Sequence, residues 1–482
     1  MAGRLAAVPE ETTDGSPAAC PPTNLYRDSI RMVPLPRGQY IRSTLFAHSG
    51  QSGSSFSGAS SYYPSSGSGC SWGPGWASAL THALAFISNR MVSDGYTQRM
   101  VQAFDFEYGG GDPERVLGAW FFELDVEWLV QTREEHSGLR RHVQDMPASS
   151  LQDMVGRWIR ALTVLVFNIR NLMVAVHKMP PVTVARFGKA SISAMLVFVD
   201  AILAVPGAET LRAVVDMFIC VSSVSCYMFT TLVISPEAKS IFGEIGGLLE
   251  TEGNMLRKAI CSMMEEVRTL IEDDDSWVVE ILRGRGEVHR NTRFMVDCIM
   301  SVKMARTSAQ RHDAGNLPGM VDNSVDYLKD VLLRKSELCP DLSLRYLFLL
   351  NNSYFIAQVS DPSGDNYGLK LTPECEKYMD SYLDASWGHV LPCIQKSFFP
   401  GLLCCWCCCI NTSSLAKFES AFHKTYEAQK FWKVPDPQLR DELRRAITRK
   451  VISEHPGIEQ HVSRRSGSPK ALVWMLEQIF EG

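Results

Sequence analysis

The 482-residue chain has little that points to catalysis. It lacks a phosphate loop of the G-x-x-x-x-G-K-[ST] form, a G-x-G-x-x-G after a strand-like run, and the His-Glu-x-x-His pair of zinc peptidases. Gly188-Lys189-Ala190-Ser191 ends like a phosphate loop but has no leading glycine. Gly69-Cys70-Ser71-Trp72-Gly73 spells a serine-hydrolase elbow, which needs a strand before it and a helix after it; its Ser/Gly surroundings offer neither. The eleven histidines are scattered. His289 reads as a helix-start residue with local hydrogen bonds rather than a base, because no partner is evident. No enzyme, cofactor or nucleic-acid partner is expected.

Targeting signals are also missing. The start has no apolar core of signal-peptide length and no glycine directly after Met1, and Phe480-Glu481-Gly482 is no prenylation box. Free thiols in a reducing cytosol are therefore expected. The fourteen cysteines form no regular disulfide framework. The net charge of -5 makes any polyanion-binding role a local one. One long uncharged run exists, the eighteen residues Met217 to Ile234. Its five Ser and Thr residues and the preceding Asp216 favour a buried helix over a membrane span.

Two compositional regimes are present. Fifteen of the twenty-one residues from Ser49 to Gly69 are Ser or Gly, and residues 1–77 are read as a disordered tail. From residue 78 the apolar spacing is helical. Ile241, Ile245, Leu248, Leu256, Ile260, Met263, Val267 and Leu270 lie on one stripe, with Glu252 its polar break. Val155, Ile159, Leu162 and Val166 mark a second helix, and Leu415, Phe418 and Phe422 begin a third. Strand-type alternation is rare. Roughly fourteen to eighteen helices are expected, in bundles over about 78–205, 206–330 and 331–482. Asp436-Pro437 is a helix start, Asp capping the free N–H groups and Pro losing nothing at the first position. Asn351-Asn352 interrupts the apolar run Leu344–Ile356, and predicts a bend or hydrogen bonds to a neighbouring helix.

Two clusters carry chemistry. Cys404, Cys405, Cys407, Cys408 and Cys409 surround Trp406. Zinc would need a second ligand pair at defined spacing, and His423 stands alone, so no metal is assigned. Reversible acylation and a buried loop of reduced thiols remain as readings. Between residues 440 and 470, Arg440, Arg444, Arg445, Arg449, Lys450, Arg464, Arg465 and Lys470 face only four carboxylates, a local excess of +4. Such a segment suits an anionic leaflet, or is simply a solvated helix face.

Phe431-Trp432-Lys433-Val434-Pro435-Asp436-Pro437 resembles the plant branch of the exocyst seventy-kilodalton subunit family. Upstream, Ser386-Trp387-Gly388-His389, Leu349-Leu350-Asn351-Asn352 with Tyr354, Gly286-Glu287-Val288-His289, Ala185-Arg186-Phe187 and Arg157-Trp158-Ile159 match in order. The resemblance covers about residues 80–482. It implies an all-α elongated rod of stacked antiparallel helical bundles, and a non-enzymatic tether of secretory vesicles at the plasma membrane. The partners it implies are other exocyst subunits, small GTPases and an anionic phosphoinositide membrane met through the C-terminal basic residues. The chain departs from the family at Arg290 and Asn291, at Thr448 and Ile452, and in its Ser/Gly tail. That tail stands where members carry a helical region that coils with other subunits. A diverged adaptor outside the exocyst, serving defence-related trafficking, is the alternative expectation.

Overall fold

A computed structural model of the chain describes residues 26–35, 75–109, 112–131, 136–174, 179–205, 207–229, 235–309, 317–360, 371–390, 412–453 and 469–480. Among these the fold is all-α, with eighteen α-helices and no strand. In chain order they are α1 (Arg27–Arg31), α2 (Gly75–Ser93), α3 (Tyr96–Tyr108), α4 (Pro113–Glu123), α5 (Trp128–Gln131), α6 (His136–Gln144), α7 (Ala148–Val174), α8 (Pro181–Leu203) and α9 (Leu211–Phe229). There follow α10 (Pro236–Glu272), α11 (Trp277–Gly284), α12 (Arg290–Ala309), α13 (Leu317–Ser336), α14 (Leu342–Ser360), α15 (Pro373–Trp387), α16 (Thr412–Gln429), α17 (Pro437–Thr448) and α18 (Pro469–Glu477).

The described residues divide into two compact units. One holds 26–35, 75–263 and 305–309; the other holds 264–304 and 317–480. The position 330/331, expected as an approximate bundle limit, falls within α13.

In the first unit α7 is the central helix, packed against α2, α8 and α9. Its sequence makes it so: Val155, Trp158, Leu162, Leu165 and Val166 are buried on several sides, and the Trp158 indole donates to the Met195 carbonyl at 2.8 Å. Helix α9 covers most of the uncharged run; Met217, Val221, Val224 and Met228 are buried, and residues 230–234 lie outside the described set. Two helices here, Pro181–Leu203 and the Ala208–Met228 stretch, are long and apolar enough to cross a membrane, and both pack within the unit. Helices α8 and α10 are joined by Arg186–Glu237 at 2.9 Å and by Lys189–Glu244. On α10, Ile245, Leu256, Ile260, Met263 and Val267 are buried as the stripe predicts. At its end Leu270 is exposed and Ile271 buried in its place, where the Trp277 indole donates to the Ile271 carbonyl at 3.1 Å. Glu252, the polar break, is itself buried, and its Oε2 has no hydrogen-bond partner. Burial, with the Asp200 charge, pushes its carboxyl up to about 7.

The reading of 1–77 as a tail needs correction in two places. Residue 75 already opens α2, and α1 is a built piece of the first unit: Tyr26, Ile30 and Val33 are buried. Arg27 and Arg31 reach the buried Asp125, with N–O distances of 3.0 and 2.5 Å. The spacing of Tyr26, Ile30 and Val33 by four and three is a signal about two helical turns long, too short to stand out beside a Ser/Gly-rich segment.

Candidate functional site

The second unit is organised around one polar knot. Three segments singled out in the sequence meet there: 286–289, 351–352 and 431–437. The Asn352 Oδ1 accepts from the His289 backbone N–H at 3.0 Å and from the Thr292 hydroxyl at 2.7 Å, while its amide donates to the Phe348 carbonyl at 2.8 Å. The Asn351 amide donates to the carbonyls of Gly286 and Lys433, at 2.6 and 2.9 Å. The Lys433 N–H donates in turn to the Arg285 carbonyl at 2.8 Å. The paired Asn therefore serves the backbone groups of neighbouring segments, which would otherwise be buried and unmet. Gly286, at φ +95°, is required: a Cβ there would meet Leu347 Cδ2 at 2.9 Å and the Lys433 carbonyl at 3.1 Å.

His289 is a structural member of this knot. Its ring stacks on Trp277, centroids 3.8 Å apart and planes 5° from parallel. Its Nδ1 accepts from the Asn291 N–H at 3.1 Å, so Nε2, 3.2 Å from Glu280, carries the proton of the neutral ring. Burial pulls its pKa down to about 3. A ring this occupied and this deeply placed is no general base.

From the knot the chain enters α17. Asp436 caps it, accepting from the Leu439 N–H at 2.9 Å, with Pro437 next. Leu439, Leu443, Ala446 and Ile447 bury one face. The eight basic residues named above then separate by environment. Arg444 points inward: its Nε and terminal nitrogen donate to the Ile479 carbonyl at 3.1 and 2.6 Å, tying α17 to the turn after α18. Arg444 is thereby engaged within the unit. Arg440 is half-buried. Lys450, in the π-turn Arg449–Ser453, is 2.5 Å from Asp384 and part-buried. Arg445 is 65% exposed, with Glu442 3.0 Å away, and Arg449 is exposed. Arg464, Arg465 and the side chain of Lys470 lie outside the described residues, as do all five cysteines of the 404–409 cluster. The outward cations here are thus Arg445, on α17, and Arg449, at the start of the π-turn that follows it. Buried Tyr382 on α15 donates to Gln429 at 2.6 Å, and its ring meets Phe480 at 6.3 Å.

Comparison with known proteins agrees with the motifs that meet in the knot. Residues 160–455 match the family model described as the Exo70 exocyst complex subunit, C-terminal. The chain is 25% identical over 363 residues to the Arabidopsis thaliana exocyst complex component EXO70B2, a match spanning 68% of this chain and 56% of that protein. It is 24% identical over 392 residues to the component EXO70B1 of the same organism, spanning 70% and 59%. It therefore spans little more than half the length of these two relatives. A solved structure of S. cerevisiae Exo70 is 13% identical, covers 84% of this chain and 87% of its own, and superposes with a TM-score of 0.34.

Proposed function

The chain belongs to the Exo70 family of exocyst subunits, and from that premise we propose that it acts in exocytosis as a peripheral, non-catalytic tether of secretory vesicles at the plasma membrane. It works by binding: other exocyst subunits and small GTPases on the protein side, anionic phosphoinositide headgroups on the membrane side. The family match over residues 160–455 is the observation that carries this reading. The membrane contact is assigned to Arg445 and Arg449, whose exposure leaves them available to phosphate oxygens in a way that Arg444 is not. Each such cation contributes about 1 kcal/mol beside an anionic leaflet. Acylation of Cys404, Cys405, Cys407, Cys408 or Cys409 would add a second membrane signal, as stable anchoring requires.

The test is co-sedimentation of the full chain with phosphoinositide-containing vesicles across a salt series, together with recovery of exocyst subunits on the tagged chain. Salt-sensitive binding and co-recovery are expected. Vesicle binding without co-recovery would favour the adaptor reading; loss of both would remove the tether.

A further inference from the structure

The outward face of α11 carries a charge pattern that neither the knot nor α17 uses. Trp277 and Ile281 turn inward and are 1% and 2% exposed. On the opposite side Asp275, Val279 and Arg283 stand four residues apart, in one row up the helix. Asp275 belongs to that row because Ser276, between it and the first turn, already has helical dihedrals. Leu282 lies beside the row. Val279 and Leu282 are 47% and 43% exposed, high for aliphatic side chains on a helix this short. Exposed Asp273 and Arg285 lie outside the helix, before and after the row, Arg285 with left-handed backbone dihedrals. The Arg285 guanidinium lies 5.5 Å from the ring of Phe431, which is itself 53% exposed.

The middle member of the acidic run behaves differently. Asp274 turns to Arg290 and Asn291, whereas Asp273, Asp275, Arg283 and Arg285 take part in no ion pair among the described residues. The face is therefore acidic, then apolar, then basic along one short axis.

We propose that this face pairs with the same face of a second copy of the chain, two α11 helices lying antiparallel about a two-fold axis near Val279. The register follows from the helical row: Asp275 and Arg283 each stand four residues from Val279. A two-fold rotation there sets Asp275 opposite the other copy's Arg283 and Val279 against Val279, the self-complementarity an isologous contact demands. An anionic bilayer is a poorer occupant, because Asp275 would be turned to it along with Arg283. One eight-residue helix with Phe431 at its edge is a small patch, so the pairing is weak and belongs to crowded or membrane-concentrated chains.

Sedimentation equilibrium on the full chain at low salt, with protein up to about 1 mM, reads this directly. Mass rising toward the dimer is expected. Asp275→Arg and Arg283→Asp, both at exposed positions, should each weaken association at least about tenfold, since each places like charges opposite one another. Mixing the two variants should restore it, because every reversed residue then meets its opposite; the double variant should dimerise with itself. A chain monomeric throughout overturns the proposal. So does a dimer indifferent to both reversals, or a failure of mixing to rescue. Vesicle binding that depends on Arg283 in a chain that stays monomeric would assign the face to membrane and overturn it as well.

Discussion

The Trp277 indole and the His289 imidazole lie face to face, 3.8 Å apart, over the start of α12. The contact holds the ring neutral, with its pKa near 3 against an ordinary 6.5, chiefly through burial. The unfolded chain therefore binds this proton more readily than the fold does. Stability from His289 is complete above about pH 6.5 and is lost as pH falls toward 3. The loss is expected to reach about 3 kcal/mol by pH 4. Asp274 beneath adds its own loss further down: burial opposes its ionisation, but hydrogen bonds from Ser276, Asn291 and Arg290 outweigh this and hold it at about 2. Thermal melts between pH 7 and 4 should show a steep acid limb. His289→Phe keeps an aromatic stack without the proton and should flatten the part above pH 4; an unchanged limb would place the acid sensitivity elsewhere.

Glu252 titrates in the other sense. Its carboxyl sits near 7 rather than 4.5, so the fold favours the protonated form. Stability is fully present below about pH 4.5 and is lost as pH rises through 7. Glu252→Gln should raise the melting temperature at pH 8, by the equivalent of about 1–3 kcal/mol, and leave it unchanged near pH 4.5. Equal melting at pH 8 would mean that water or a neighbour relieves the charge.

Asp125 tests the attachment of α1. Burial works to raise its pKa, but the Arg31 hydrogen bond and the charges of Arg157, Arg31 and Arg27 outweigh this and hold it below the ordinary carboxylate value. Asp125→Ala leaves Arg27, which is largely buried, with Glu127 alone. A cost of about 3 kcal/mol to docking of this segment is expected. Limited proteolysis should then cut within residues 26–35 earlier than in the unaltered chain.

Arg444 and the pair Arg445/Arg449 should part company in their phenotypes. Arg444→Ala removes two charge-assisted bonds to the Ile479 carbonyl and should cost about 1.5–3 kcal/mol of stability. Its vesicle binding at low temperature should be little altered. Arg445→Glu with Arg449→Glu should do the reverse, melting as the unaltered chain does while losing salt-sensitive vesicle binding. Undiminished binding by that double variant would remove α17 from the membrane contact.

Much of this was readable in the residues. Apolar spacing announces the helices and their buried faces, because burial and the 3.6-residue repeat act on every turn alike. Asp436-Pro437 announces a boundary, since capping is local chemistry. The two outcomes left open for Asn351-Asn352 resolved as hydrogen bonding, although which carbonyls they would meet depends on segments about 65 and 80 residues distant. That Arg440 and Arg444 share one stripe and Arg445 and Arg449 another is readable from the helical repeat; which stripe turns inward is not. Arg444 and Arg445 are adjacent and chemically identical; only the approach of Ile479, 35 residues on, takes one inward and leaves the other to solvent. The docked turn at 26–35 was hidden for a related reason, its anchor Asp125 lying about 95 residues away.

The knot at Asn351 also governs how such chains can be recombined. Its backbone partners come from stretches far apart in the sequence, and Gly286 leaves no room for a side chain between them. A graft from a relative that carried α14 alone would bring in an amide shaped for another chain's carbonyls. Productive crossovers in the second unit should therefore fall where the turn before α12, the middle of α14 and the approach to α17 all come from one parent.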